Sequence, residues 1–465
     1  MTKIATLVCV LGILGLFLLN RERKTRSSWA LLLPFFWLLI AGSRNVGEWL
    51  ESGNPTSGDV YVEGNALDRN LLTVVIAAGV VVLFQRREKI GMFLRANWPL
   101  LIYFFYCGVS LLWSDYPFVG FKRWIRAWGD VVMVLIVLTE RDWLASRRRL
   151  YAWTAFVLIP ASILLIRYYP ELGRAYGLDG TLFWTGVGKN KNELGLICLV
   201  FGLPSVARLI DIYKGREGPG KTRALIAHVA IVVMTMYLLH VANSATSLAC
   251  LGLGVGILLL TSWRPVIRRP ALIHVIVASM LLFTFSSLFL NIGSGVVENL
   301  GRNSTLTGRT ELWAHALKLV ENPVFGAGYE SFWVGSRLEQ MRAFAMGVNQ
   351  AHNGYLEIYL NLGWVGVTLL ALVIVTGYRN VVAAFRRDPG PARLMLAYFV
   401  VAMAYNFTEG AFKFRNPVWI SFLLAIMYIP QLASLKVRKT TAKGFPAQHA
   451  LELPQPGESI YEDYV

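Results

Sequence analysis

Two stretches of this chain carry side chains whose types and spacing suit chemistry on an anion. TGRTELW, at Thr307 to Trp313, sets Arg309 inside an expected helix start, and AHNGYLEIYLNLGWVG, at Ala351 to Gly366, sets His352 just ahead of an apolar run. The first turn of a helix attracts anions through free backbone N–H groups, and a guanidinium there can grip phosphate oxygens by two parallel hydrogen bonds. His352, at the positive end of the next helix, is cast as a proton acceptor or as a hydrogen-bond partner for a substrate oxygen. Asn353, Glu357 and Asn361 follow one turn apart and form a polar stripe. Hydrogen bonding between helices and a functional role both remain open for it, because polar groups within membrane spans are costly. His228, His240, His274 and His315 lack such a setting and read as structural.

These residues bound a polar stretch, Asn291 to His352, that lies between two long apolar runs. With Thr307 as N-cap, Leu312, Ala316, Leu319 and Val320 recur at helical spacing until Pro323, which predicts an amphipathic helix over Arg309 to Val320 lying on the membrane surface. Asn322-Pro323, Gly326 and Gly328 mark a turn, and a second short helix is predicted near Ser336 to Met346.

The rest of the chain is mostly apolar. Its 465 residues are 55% hydrophobic and 16% charged, and mean hydropathy is +0.50, more apolar surface than one soluble core needs. Apolar runs near the spanning length of roughly 20 residues lie near 4–19, 28–43, 70–84, 97–113, 126–139, 151–166, 193–209, 224–241, 245–262, 271–290, 354–377, 394–408 and 417–433. The expected fold is an all-α polytopic membrane protein of about 12–13 transmembrane helices, with one large outer loop holding short amphipathic helices. It divides into N-terminal helices (1–95), central helices with basic outer loops (96–290), the loop (291–352), C-terminal helices (353–433) and a polar tail without apolar period, read as disordered (434–465). The first run is read as a retained span, since its basic cluster RERKTR follows the apolar stretch instead of preceding it. Cys9, Cys107, Cys198 and Cys250 fall in apolar runs and are expected to pack as small hydrophobes, with no metal site implied.

The net charge of +17 would suggest nucleic acid in a soluble protein, but here 27 of the 45 lysines and arginines cluster in alternate short connections. That is the positive-inside pattern, and nucleic acid is discarded as a partner. It places those connections and the C-terminus in the cytoplasm and the 291–352 loop outside. Some outer connections break the rule: Lys122, Arg123 and Arg126 sit among aromatics in FKRWIRAW, and the 167–192 connection adds Arg167, Arg174, Lys189 and Lys191. Snorkelling to lipid headgroups accounts for any one of them. Taken together, basic residues in three outer loops favour an anionic ligand, with a lipid-borne phosphate or diphosphate as the obvious candidate.

TGRTELW, the following ENPVFGAGYESFW and AHNGYLEIYLNLGWVG resemble the signature region of the bacterial O-antigen ligase and polysaccharide polymerase superfamily, and GRAYGLDGTLFWTGVGKNKNELG (Gly173 to Gly195) resembles its exopolysaccharide branch. The resemblance implies an inverting glycosyltransferase that uses neither metal nor cofactor. Its donor would be a polyprenyl (undecaprenyl) diphosphate-linked glycan, its acceptor a glycan or lipid-glycan, and its place the bacterial cytoplasmic membrane, where other polysaccharide-assembly proteins are possible partners. Arg309 and His352 correspond to the family's loop arginine and loop-end histidine. One departure is Ala245 in NSATSLA, where many members carry a cation in a Ser-basic-Thr motif. Arg174, Lys189 and Lys191, with Asn192, Arg123, Asn353 and Glu357, are then the expected substrate-binding residues. The rival function is a flippase for lipid-linked glycans, which has less use for an Arg/His-bearing outer loop. No inverted repeat is evident in the span pattern.

Overall fold

Each apolar run read from the sequence overlaps a helix in the computed structural model, which describes residues 1–21, 28–50, 65–177, 180–215, 221–289, 307–345 and 347–428. The polar tail and residues 291–306 of the expected outer loop lie outside the described residues. Along the chain run α1 (Thr2–Leu19), α2 (Leu32–Ala41), α3 (Ala66–Gln85), α4 (Arg87–Ala96), α5 (Trp98–Val109), α6 (Pro117–Leu138), α7 (Trp143–Tyr168) and α8 (Lys191–Tyr213). There follow α9 (Lys221–Ala242), α10 (Ala245–Leu260), α11 (Leu272–Phe289), α12 (Thr307–Lys318), α13 (Ser336–Phe344), α14 (Gly354–Arg387), α15 (Pro389–Tyr405) and α16 (Pro417–Ile426).

The spans are unequal. Among the described residues, 6 helices (α1, α3, α7, α8, α9 and α14) are long and apolar enough to cross a membrane alone. α4 and α5 would make one more only as a pair bent by 86°, and α2, α10, α11 and α16 are shorter apolar helices. Short helices are tolerable where protein covers them. α16 is buried along its whole length and α15 from Met395 to Tyr405, so these two form the centre. α15 packs against α10, α14 and α16, while α8 packs against α7, α9 and α10. At the periphery α1 leaves Leu7, Val8, Leu11, Leu14 and Leu18 exposed, as a lipid-facing helix does. A multi-pass all-α membrane protein is the result.

The two sets of connections separated by charge counting are each tied together. In the first set, Arg86 pairs with Glu140 at 2.6 Å, Arg147 donates to the Pro391 carbonyl at 3.1 Å, and Arg393 pairs with Asp211. In the other, Arg44 donates to the Gly188 carbonyl at 3.1 Å, and Arg123 to the Glu330 carbonyl at 2.6 Å.

The long loop departs from the sequence reading in three ways. α12 begins at Thr307 itself, so Thr307 is inside the helix and not its cap. Its apolar stripe is not spent on a membrane surface: Leu312 and Ala316 are buried in a cluster with Phe332, Trp333, Leu338, Met341, Ala351 and Leu360. The loop's own aromatics supply the apolar partner that lipid was expected to provide. Finally, α14 is broken at Gly363 (φ 62°, ψ −164°), and the Asn322-Pro323 turn packs into the break. Trp364 N donates to the Pro323 carbonyl at 3.0 Å, Val365 N to Val324 at 3.2 Å, and Ala327 N to Leu360 at 3.1 Å. A Cβ on Gly363 would lie 2.2 Å from the Val324 oxygen, so glycine is required where the two backbones meet.

The 167–192 connection also holds structure that the all-α reading omitted. β1 (Arg174–Tyr176) and β2 (Leu182–Trp184) pair antiparallel, Arg174 opposite Trp184. Gly180, at φ 78°, turns the chain between them.

Candidate active site

At the loop end of the bundle lies a cavity of about 940 Å³, walled by six separate stretches of sequence. Seven lysines and arginines line it (Lys122, Arg123, Arg126, Lys189, Lys191, Lys413, Arg415) against four glutamates (Glu193, Glu330, Glu357, Glu409). The excess of cations makes the space suited to an anionic ligand.

His352 lines the cavity two residues before α14 begins, and takes a left-handed backbone conformation, φ 52°. Its Nδ1 lies 3.1 Å from Oε2 of Glu409. Arg309, on the first turn of α12, donates from Nη1 to the Thr408 carbonyl at 2.5 Å, and its Nη2 lies 3.6 Å from Oε1 of Glu409. Asn192, on the first turn of α8, donates to the same Oε1 at 3.3 Å. One buried carboxylate thus gathers three of the residues singled out in the sequence. Arg309 is not itself on the cavity lining and meets it through Glu409.

The polar stripe of α14 holds this arrangement in place. Asn353 caps the helix, accepting from Tyr355 N and Leu356 N at 3.0 and 3.1 Å. Glu357 accepts from Trp333 Nε1 at 2.7 Å and from the Ala351 backbone N–H. Asn361 accepts from Ser331 N and Phe332 N at 2.9 and 3.0 Å and donates to the Glu357 carbonyl at 2.9 Å. These bonds fasten the loop to the helix on either side of His352. Glu357 reaches the cavity lining; Asn353 does not.

KNKNELG forms the start of α8. Asn190 accepts from Glu193 N at 2.9 Å, and the Glu193 carboxylate accepts from Lys189 N at 2.8 Å, a reciprocal cap. The cap presents Lys189, Lys191 and Asn192 to the cavity. Lys189 pairs with Glu48 at 2.6 Å, and Lys191 sits 4.8 Å over the Phe183 ring. Arg123 is occupied with Glu330, by the 2.6 Å bond to its carbonyl and a 3.8 Å approach to its carboxylate. Arg174 is the exception. Its guanidinium donates twice to the Ile166 carbonyl, at 3.1 and 3.0 Å, near the end of α7, and it does not line the cavity.

Ala245 opens α10. The neighbouring Thr246 hydroxyl is 3.5 Å from that of Thr408, the residue whose carbonyl binds Arg309. The turn that lacks a cation therefore borders the place where Arg309 docks.

Glu409, Lys413 and Arg415 went unmarked in the sequence. All three lie in TEGAFKFRNP, Thr408 to Pro417, between α15 and α16. The signal was there: this short connection also breaks the positive-inside rule, as FKRWIRAW does. Lys413 donates to Gln350 Oε1 at 3.1 Å, two residues from His352. Glu330, His352 and Arg415 are three of the four positive-φ residues other than glycine among those described, and all three line the cavity. Such backbone conformations cost of order 1–3 kcal/mol and cluster at functional sites. Among the described residues, no group of three or more His, Cys, Asp or Glu side chains is placed to hold a metal ion.

Two comparisons with known proteins bear on this geometry. A family model described as O-antigen ligase matches residues 227–371, a stretch that contains Arg309, His352 and Glu357 but ends before Glu409. Over 414 residues the chain is 27% identical to the exopolysaccharide production protein ExoQ of Rhizobium meliloti (strain 1021), covering 82% of this chain and 88% of that protein. Both matches agree with the resemblance to the O-antigen ligase and polymerase superfamily that the motifs carry.

Proposed function

We propose that the chain is a membrane glycosyltransferase of surface polysaccharide assembly, a ligase or polymerase that moves a polyprenyl diphosphate-linked glycan onto an acceptor hydroxyl. The reaction takes place at the outer face of the cytoplasmic membrane, with the 291–352 loop on that side. The observation that carries this reading is the meeting of Arg309, Asn192 and His352 on Glu409 at the edge of a cation-rich cavity.

The chemistry follows from the charges. The acceptor oxygen attacks the anomeric carbon, the bond from that carbon to the diphosphate oxygen breaks, and the lipid diphosphate leaves. A single displacement from the opposite side inverts the anomeric centre. The main demand is stabilisation of negative charge as it develops on the leaving group. Lys191 and Lys413, on the cavity wall, supply it without a metal, and Arg309 adds its charge from the edge of the cavity, where it meets Glu409. A carboxylate only accepts hydrogen bonds, so Glu409 fixes the His352 proton on Nδ1 and leaves the Nε2 lone pair to take the proton of the acceptor hydroxyl.

Reconstitution with a defined polyprenyl diphosphate-linked glycan and separate candidate acceptors tests the reading. The wild-type protein is expected to glycosylate one acceptor class, and Arg309→Ala to lower turnover by roughly two to three powers of ten. Near-normal transfer by correctly inserted Arg309→Ala and His352→Ala proteins would sink it.

A further inference from the structure

The cavity wall also carries two guanidinium groups that the chemistry above does not use. Arg126, on α6, and Arg415, between α15 and α16, both line the cavity. Arg126 makes no hydrogen bond or ion pair among the described residues. The Arg415 side chain donates from Nη2 to Asn45 Oδ1 at 2.7 Å, while its Nε is buried without a partner. Burial, followed by repulsion from Arg126, lowers the Arg415 guanidinium from its ordinary range, against attraction from Asp130, Asp68 and Glu48.

Those three carboxylates are already engaged. Asp130 accepts from Trp37 Nε1 at 2.7 Å and from the backbone N–H of Arg415 at 2.9 Å. Asp68 accepts from Gly47 N at 2.9 Å, and Glu48 pairs with Lys189 and accepts from Asn45. Arginine does not shed its proton, so two guanidinium groups lining one cavity, one of them without a hydrogen-bond or ion-pair partner among the described residues, favour an anion bound beside them. The backbone is also set for this arrangement: Arg415 stands at φ 56°, pinned by Asp130.

We propose that Arg126 and Arg415 form a second anion subsite, apart from the Arg309–Glu409–His352 corner, that takes the carboxylate of an acidic sugar in the transferred glycan. Planar guanidinium forks match a carboxylate by paired hydrogen bonds, which suits recognition of a uronate or a carboxyl-bearing substituent. The inference rests on the transferase reading and names the substrate class for it.

The test compares two polyprenyl diphosphate-linked donors that differ only in one uronic acid, intact or reduced to the neutral sugar. Wild-type protein is expected to favour the acidic donor in kcat/KM. Arg126→Gln/Arg415→Gln is expected to cut that preference tenfold or more, the scale of a lost charged hydrogen bond. An unchanged preference overturns the proposal. So does an equal loss on both donors in a variant of wild-type thermal stability, which would assign the two arginines to the diphosphate. Arg126→Gln alone gives the same readout should the double variant fold poorly. Transfer of neither donor by the wild-type protein would instead remove the transferase reading itself.

Discussion

His352 and Glu409 meet across the fold, Nδ1 of the imidazole 3.1 Å from Oε2 of the carboxylate. The other oxygen of the same carboxylate faces Arg309 at 3.6 Å, so one side chain joins the arginine of the long loop to the histidine that ends it. Glu409 is 9% exposed at its side chain, and a buried carboxylate between two such groups orients both.

Glu409→Ala is therefore expected to lower turnover about as far as His352→Ala, roughly two powers of ten or more. The double variant is expected to lose little beyond either single one, because residues acting as a unit are not additive. Transfer rates of the three purified proteins check this, and additive losses would place Glu409 outside the catalytic unit.

Glu357 has a different role. It accepts two hydrogen bonds from buried groups of the loop, so Glu357→Ala leaves Trp333 Nε1 and Ala351 N without their acceptor. Each orphaned donor costs about 1–3 kcal/mol. Thermal unfolding in detergent is expected to show a lowered midpoint for Glu357→Ala, and an unchanged midpoint would contradict the fastening role.

Arg174 and Lys413 were separated by the fold, not by the sequence. With its guanidinium spent on the Ile166 carbonyl, Arg174→Gln is expected to change transfer by less than about threefold. Lys413→Gln, on the cavity wall beside Gln350, is expected to lower it about tenfold, as loss of a charged hydrogen bond does. The reverse order would place the diphosphate on the hairpin.

Sidedness is open to chemical labelling. Tyr176 is 76% exposed at the hairpin and Tyr213 is 91% exposed at the end of α8, while Cys107, Cys198 and Cys250 are buried. With the long loop outside, Tyr176→Cys is expected to react with a membrane-impermeant thiol reagent in intact cells, and Tyr213→Cys only after permeabilisation. Labelling in the opposite sense would invert the proposed orientation.

Much of the fold was legible because a bilayer leaves the chain few choices. An apolar run of spanning length must satisfy its backbone internally, so each apolar run overlaps a helix among the described residues. Local periodicity likewise found α12 and α13, and the polar stripe of Asn353, Glu357 and Asn361 marked side chains that do meet partners. Lengths and breaks were less visible. α15 and α16 are buried among other helices, and α14 breaks at Gly363 where a turn some forty residues earlier packs into the gap, neither of which is a local property.

The sequence by itself determined that this is a multi-pass helical membrane protein, that Arg309 lies in the first turn of a loop helix and that His352 stands at the head of a span, because hydropathy and charge act over neighbouring residues. The tertiary structure alone decided which charges face one another. Glu409 lies 57 positions beyond His352, and Arg126 lies within α6 while Arg415 lies between α15 and α16, yet all four line one cavity. Electrostatic partnership is a matter of distance in space, and only the packing of α6, α8, α14, α15 and α16 sets those distances.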